Sequence, residues 1–167
     1  MILAIDVDYQ ETQAQAAGLL MENWTDTEAV KEYTLVIPEI HEYISGQFYK
    51  RELPCILALL KTIEEPLTHL IIDGYVWLNN DKKPGLGAYL YKALDSKIPV
   101  IGVAKNAFKQ ENKYAVPIYR GESIKPLYIS SEGIPLEEAQ TYLQHMTGEY
   151  RIPTLLKRVD TLCRIWI

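Results

Sequence analysis

The chain has 167 residues, a formal net charge of −5, 48% hydrophobic residues and 23% charged residues, the makeup of one ordinary globular domain. No run approaches the ~20 apolar residues that a membrane-spanning helix needs, and the first six residues lack the basic region and apolar core of a signal peptide, so the expected compartment is the cytoplasm. Cys55 and Cys163 each sit in an apolar segment with no partner at metal-ligand spacing and read as buried free thiols. The acidic total argues mildly against a broad electrostatic footprint on nucleic acid, although metal-binding carboxylates would themselves add to it.

Residues 2–7 form an apolar run interrupted by Asp6 and are predicted to be a buried strand. Residues 14–24 read as a second strand after a turn near Glu11 and Thr12. Residues 29–37, with Val30, Tyr33, Leu35 and Ile37 as apolar positions, read as a third. Three strands in a row predict an antiparallel meander. The pattern then changes. Residues 54–63 have helical character with Pro54 in the first turn, and Pro66 stops them. A strand over 70–74 ends in an acid and a glycine, a polar loop covers 79–85, a helix covers 86–94 and another strand covers 98–104. Such strand–helix–strand alternation implies parallel pairing through right-handed crossovers. Residues 114–118 and 126–130 suggest a hairpin around Arg120-Gly121-Glu122, and helices over 136–146 and 155–166 follow. A meander followed by crossovers is the ribonuclease-H-like α/β arrangement, here a mixed sheet of five to eight strands with residues 1–167 as one domain. A flavodoxin-like sheet would not begin with three consecutive strands.

Two acids stand where burial is expected. Asp6 interrupts the first strand and Asp73 closes the fourth, and a charge there costs several kcal/mol unless it is paired or binds a metal. Glu52 reads as a helix-start acid beside Arg51, and Asp160 interrupts the apolar side of the last helix. Asp8 shares a strand face with Asp6 by the two-residue period. Taken alone, Asp73-Gly74 is also a plausible strand-end turn, Glu52 a helix-dipole acid, and Asp160 a solvated partner of Arg158 or Lys157. Taken together, converging carboxylates without an HxxxH pattern favour a hard cation, Mg²⁺ or Mn²⁺, over zinc. The chemistry such a cluster supports is phosphodiester hydrolysis.

Four stretches carry a family resemblance in the same order along the chain. They are Ala4-Ile5-Asp6-Val7-Asp8-Tyr9; Tyr43 through Arg51-Glu52-Leu53-Pro54; Ile71-Ile72-Asp73-Gly74 with Pro84-Gly85-Leu86-Gly87-Ala88 and Ile101-Gly102-Val103-Ala104-Lys105; and Lys125-Pro126-Leu127-Tyr128-Ile129-Ser130 with Arg151-Ile152-Pro153 through Asp160. This series resembles the endonuclease V family over most of the chain. The resemblance implies a ribonuclease-H-like fold and Mg²⁺- or Mn²⁺-dependent cleavage of a strand near inosine, one phosphate beyond its 3′ neighbour. It also implies Asp6, Glu52 and Asp73 as metal-binding acids, Lys105 as the active-site lysine, and Tyr43 as a wedge that fills the gap left by a displaced base, with Gly74 also contacting substrate. Asp160 falls where the family carries a histidine, and an acid there still suits metal binding. The family's histidine-containing text after Asp-Gly is replaced by Tyr75-Val76-Trp77-Leu78-Asn79-Asn80, its prolines around the wedge by Glu42 and Ser45, and its Ser-Pro-Gly-His stretch by residues 130–133. The N-terminal helix common in the family has no counterpart before residue 2. His41, His69 and His145 match none of the family's histidines.

Three functions remain open at this level. They are an endonuclease acting beside deaminated purines in DNA or RNA, a relative cutting a different nucleic acid, and a binding protein that kept the fold without turnover.

Overall fold

The computed structural model describes residues 1–38 and 48–166. It begins with the meander: β1 (Ile2–Gln10), β2 (Gln13–Met21) and β3 (Lys31–Ile37) pair antiparallel in succession. Glu11 turns β1 into β2 with φ of 52°. β4 (His69–Asp73) then lies parallel to β1, and β5 (Val100–Ala104) lies parallel to β4. The hairpin β6 (Val116–Ile118) and β7 (Leu127–Glu132) attaches through an antiparallel β5–β7 ladder. The result is a seven-stranded mixed sheet in the order β3-β2-β1-β4-β5-β7-β6.

Helices cover both faces, as a sheet buried on two sides requires. α1 (Phe48–Leu60) packs on β1, β2 and β3, and α2 (Leu86–Ala93) packs on α1 and β5. α3 (Leu136–His145) lies against β7, while α4 (Thr154–Cys163) lies against β1 and β2. Strand parity sorts the core accordingly. Leu3, Ile5, Leu70 and Ile72 face the α1–α2 layer, whereas Ile2, Ala4, Ile71, Ile101 and Val103 face the α3–α4 layer.

Several expected boundaries shift by a few residues, the last helix for example ending at Cys163, and one shift bears on the site. The first helix opens at Phe48, not at Pro54, so Pro54 lies inside it, where its ring removes the amide that would bond back to residue 50. Glu52 is therefore one turn inside the helix and buried, at 4% exposure. It is not a solvated acid answering the helix dipole.

The turn after β4 is held by packing too tight for side chains. A Cβ at Gly102 would come within 2.6 Å of the Gly74 carbonyl oxygen and 2.8 Å of Ser130 Oγ. The fully buried Ser130 hydroxyl accepts the Val76 amide at 2.9 Å, and the Gly74 amide donates to the Val103 carbonyl at 3.0 Å. Ser130→Ala leaves a buried amide unpaired, a loss of about 1–3 kcal/mol. Urea denaturation should show a lower midpoint with an unchanged slope.

Candidate active site

β1, β4 and β5 run parallel, so their carboxyl ends open on one rim of the sheet, the place where open α/β sheets bind ligands. The pairing of β1 with β4 stops at Ile5–Ile72. Asp6 and Asp73 are the next residues on each strand, at the fork where the two part. Both continue the parity of Ala4 and Ile71 and so belong to the α4 side of the sheet. Lys105, one residue beyond β5, follows Ile101 and Val103 on the same side. Its Nζ lies 3.8 Å from Asp73 Oδ2.

α4 supplies the far wall. One ligand atom each of Asp6, Asp160 and Cys163 lie within 4.8 Å of one another. Asp160 is held from the rim by Arg164 at 3.1 Å and Lys157 at 3.9 Å, while Arg158 pairs instead with Glu32 at 2.6 Å. Glu52 arrives from α1, on the opposite layer. Its Oε2 is buried without a hydrogen-bond partner among the described residues. The Asp6, Asp73 and Lys105 side chains line one small cavity together with Ile152 and Leu156.

Burial and crowding set the protonation of this group. Asp6, 8% exposed, is pushed up to about 7, first by burial and then by the negative charge of Asp73, against the Val7 amide that donates to its Oδ1 at 2.9 Å. Glu52 is driven well above the usual carboxylate range by burial and by the charges of Asp6 and Asp73. Burial also raises Asp73, with Lys105 opposing and Asp160 adding to the shift. Asp160 moves the other way. Burial alone would raise it, but Lys105, a hydrogen bond with Asp6 and Arg164 together hold it down. The Asp6–Asp160 pair thus shares a proton that resides on the more buried Asp6.

Other expected residues fall as follows. Gly74 ends β4 with φ of 133°, and nothing lies within 4 Å of an added Cβ, so its backbone is open to a ligand on that side. Tyr43 and His41 lie outside the described residues. Asp8 shares the Asp6 face as expected and accepts the Trp166 indole N–H at 2.9 Å, which ties the segment after α4 to β1. His69 packs edge-on against Trp24 and Tyr142, and the His145 Nδ1 lies 2.8 Å from the Thr141 carbonyl oxygen.

Sequence reasoning missed three contributors. Cys163 stands one helical turn after Asp160, a spacing that puts both on one face, yet its apolar surroundings masked it. Gln15, buried in β2, donates its Nε2 to the carbonyls of Cys163 at 2.9 Å and Ile165 at 2.8 Å. Arg151 donates to the carbonyls of Lys105 at 3.0 Å and Pro126 at 3.2 Å. For Gln15 and Arg151 no local pattern carries the signal, because their partners are remote in sequence.

A profile of the endonuclease V family matches residues 1–161. The chain belongs to the endonuclease V family. An endonuclease V from Streptomyces avermitilis is 28% identical over 98% of this chain and 79% of its own length, and one from Nostoc punctiforme is 24% identical over 96% and 80%. The crystal structure of the Streptomyces avermitilis protein superposes with a TM-score of 0.77 over 98% of this chain and 79% of that one. Endonuclease V from Ciona intestinalis, crystallised with a 24mer DNA containing an inosine followed by a ribo-adenosine, gives 0.77 at 20% identity, over 98% and 84%. The fold is ribonuclease-H-like. The fold and family inferred from the four motifs are thereby established, and no described helix is long and apolar enough to cross a membrane.

The raised carboxyls have a thermodynamic consequence. Folded Asp6 holds its proton from its ordinary 3.8 up to about 7, so in that window the folded state binds more protons than the unfolded one and stability falls as pH rises. Without divalent cations, the melting temperature should drop as pH rises from about 4 to about 7. Asp6→Asn should flatten that slope in calorimetric scans, and Mn²⁺ should raise the melting temperature more at the upper pH than at the lower.

Proposed function

We propose that this endonuclease V family member is a divalent-cation-dependent endonuclease that hydrolyses a phosphodiester bond beside a deaminated purine, inosine or deoxyinosine, in RNA or DNA. The observation that carries the reading is the gathering of Asp6, Asp73 and Asp160 on one rim, with the buried Glu52, raised by the charges of Asp6 and Asp73, keeping an oxygen without a partner among the described residues. Crowded carboxylates at such a cost fit hard cations. Asp6, Glu52, Asp73 and Asp160 would hold Mg²⁺ or Mn²⁺. Bound cations of this kind make water a better nucleophile and offset charge on the phosphate oxygens. The inosine-containing DNA bound by the Ciona relative supports the choice of substrate.

In this reading water adds to phosphorus as the P–O3′ bond breaks, leaving a 3′-hydroxyl and a 5′-phosphate. Asp73 keeps the Lys105 ammonium beside the reacting group, where it offsets the negative charge that builds on phosphate. The proton that water loses is balanced by the one that the departing 3′ oxygen takes up, exchanged through solvent at the open rim. The exposed backbone at Gly74 gives the strand close approach to the rim. Tyr43 is proposed as the ring that stacks into the gap left by the displaced base.

Labelled strands with and without a single inosine, incubated with and without Mn²⁺, test the reading directly. Cutting is expected only with inosine and cation together. Asp73→Asn should reduce the cleavage rate constant to below about 1%, and Lys105→Ala should reduce it by about 10²–10³-fold. Undiminished cutting by Asp73→Asn would remove the assignment of this rim.

A further inference from the structure

Beside the acid-lined cavity runs a second, wider groove, whose Lys157 also pairs with Asp160 at 3.9 Å. It is lined by Tyr150, Arg151, Ile152, Thr154 and Lys157, and it meets the cavity of Asp6 and Asp73 at the shared side chain of Ile152. Tyr150 is 77% exposed, so its ring face is free for a ligand to stack on.

This exposure is not that of a loose loop. The Arg120 side chain, 4% exposed, donates to the carbonyls of Met146, Gly148, Tyr150 and Arg151. A Cβ at Gly121 would come within 2.3 Å of the Glu149 carbonyl oxygen, so the β6–β7 turn is pressed against the same loop. The Thr154 amide closes the loop onto the Thr147 carbonyl at 2.9 Å. A rigid segment therefore displays Tyr150.

Charge selects the occupant. In a chain of net charge −5, the groove itself brings Arg151 and Lys157, and Lys105 stands at the adjoining cavity. Near that rim Lys125 donates to Asn106 Oδ1 at 2.9 Å. An aromatic face next to a basic strip is the pairing that holds single-stranded nucleic acid, with the ring taking a base and the cations taking phosphates.

We infer that the Tyr150–Lys157 groove is a strand-tracking subsite, in which one unpaired nucleotide flanking the cleaved bond stacks its base on Tyr150 and sets its phosphate against Lys157 and Arg151. The inference rests on the endonuclease reading and extends it to the flanking strand.

Fluorescence anisotropy tests it, with single strands carrying one inosine and with Ca²⁺ present to hold back cleavage. Tyr150→Ala should weaken binding of a long strand by roughly 10-fold, and Tyr150→Phe should bind like the parent, because stacking needs the ring and not the hydroxyl. Trimming the strand on one side of the inosine, but not on the other, should erase the difference between Tyr150→Ala and the parent. Lys157→Ala should lower the slope of log affinity against log salt by about 0.7. Unchanged affinity of Tyr150→Ala, while the parent binds and cuts inosine strands, would overturn the subsite and leave the endonuclease reading intact. A Tyr150→Ala protein that only loses self-association on a sizing column, with strand affinity kept, overturns it equally. Failure of the parent to bind or cut any inosine strand would overturn both.

Discussion

Asp6 and Asp73 stand where β1 and β4 part, Asp160 lies beside Asp6, and burial with Coulombic repulsion raises Asp6, Glu52 and Asp73 together. Two strands end their pairing at that point, and helices from both layers bring a further acid each. Removing such charges from water is costly, and placing them side by side adds Coulombic strain. The protein responds by keeping Asp6 protonated near neutrality and by ringing Asp160 and Asp73 with Lys105, Lys157 and Arg164.

Holding that strain in place takes a frame of buried polar contacts. Ser130 and the bare surface of Gly102 set the turn after Asp73. Gln15 grips the end of α4 and so fixes where Asp160 stands against Asp6. Arg120 and Arg151 bind backbone carbonyls from loop to loop, the first shaping residues 146–151 and the second anchoring the carbonyl of Lys105. Each of these groups is remote from its partners along the chain. Together they make the rim a fixed surface on which positions are defined before any ligand arrives.

Net charge proves a poor guide to what this surface attracts. Much of the negative total is spread over solvated acids, and part of it is concentrated where bound cations would cancel it. Lys105, Arg151 and Lys157 stand along one edge of the same rim. A strand passing over the acids would thus meet ammonium and guanidinium groups on its flank, and local field outweighs the total within a Debye length of roughly 8 Å.

Periodicity and punctuation in the amino-acid order were enough to define the architecture: three consecutive strand patterns made the meander, and alternation of strands and helices made the parallel crossovers. Asp6 and Asp73 were legible too, because a charge inside an apolar strand contradicts its own surroundings. The start of α1 was not, since Pro54 reads as a helix opener and only packing against β1, β2 and β3 extends the helix back to Phe48. Glu52 consequently looked like a solvated helix acid until the fold buried it. The roles of Gln15, Ser130, Arg120, Arg151 and Cys163 came from the tertiary structure alone. Local order encodes period and turn chemistry within a few residues, whereas the partners of these side chains are brought near only when the sheet closes distances of tens to more than a hundred residues along the chain.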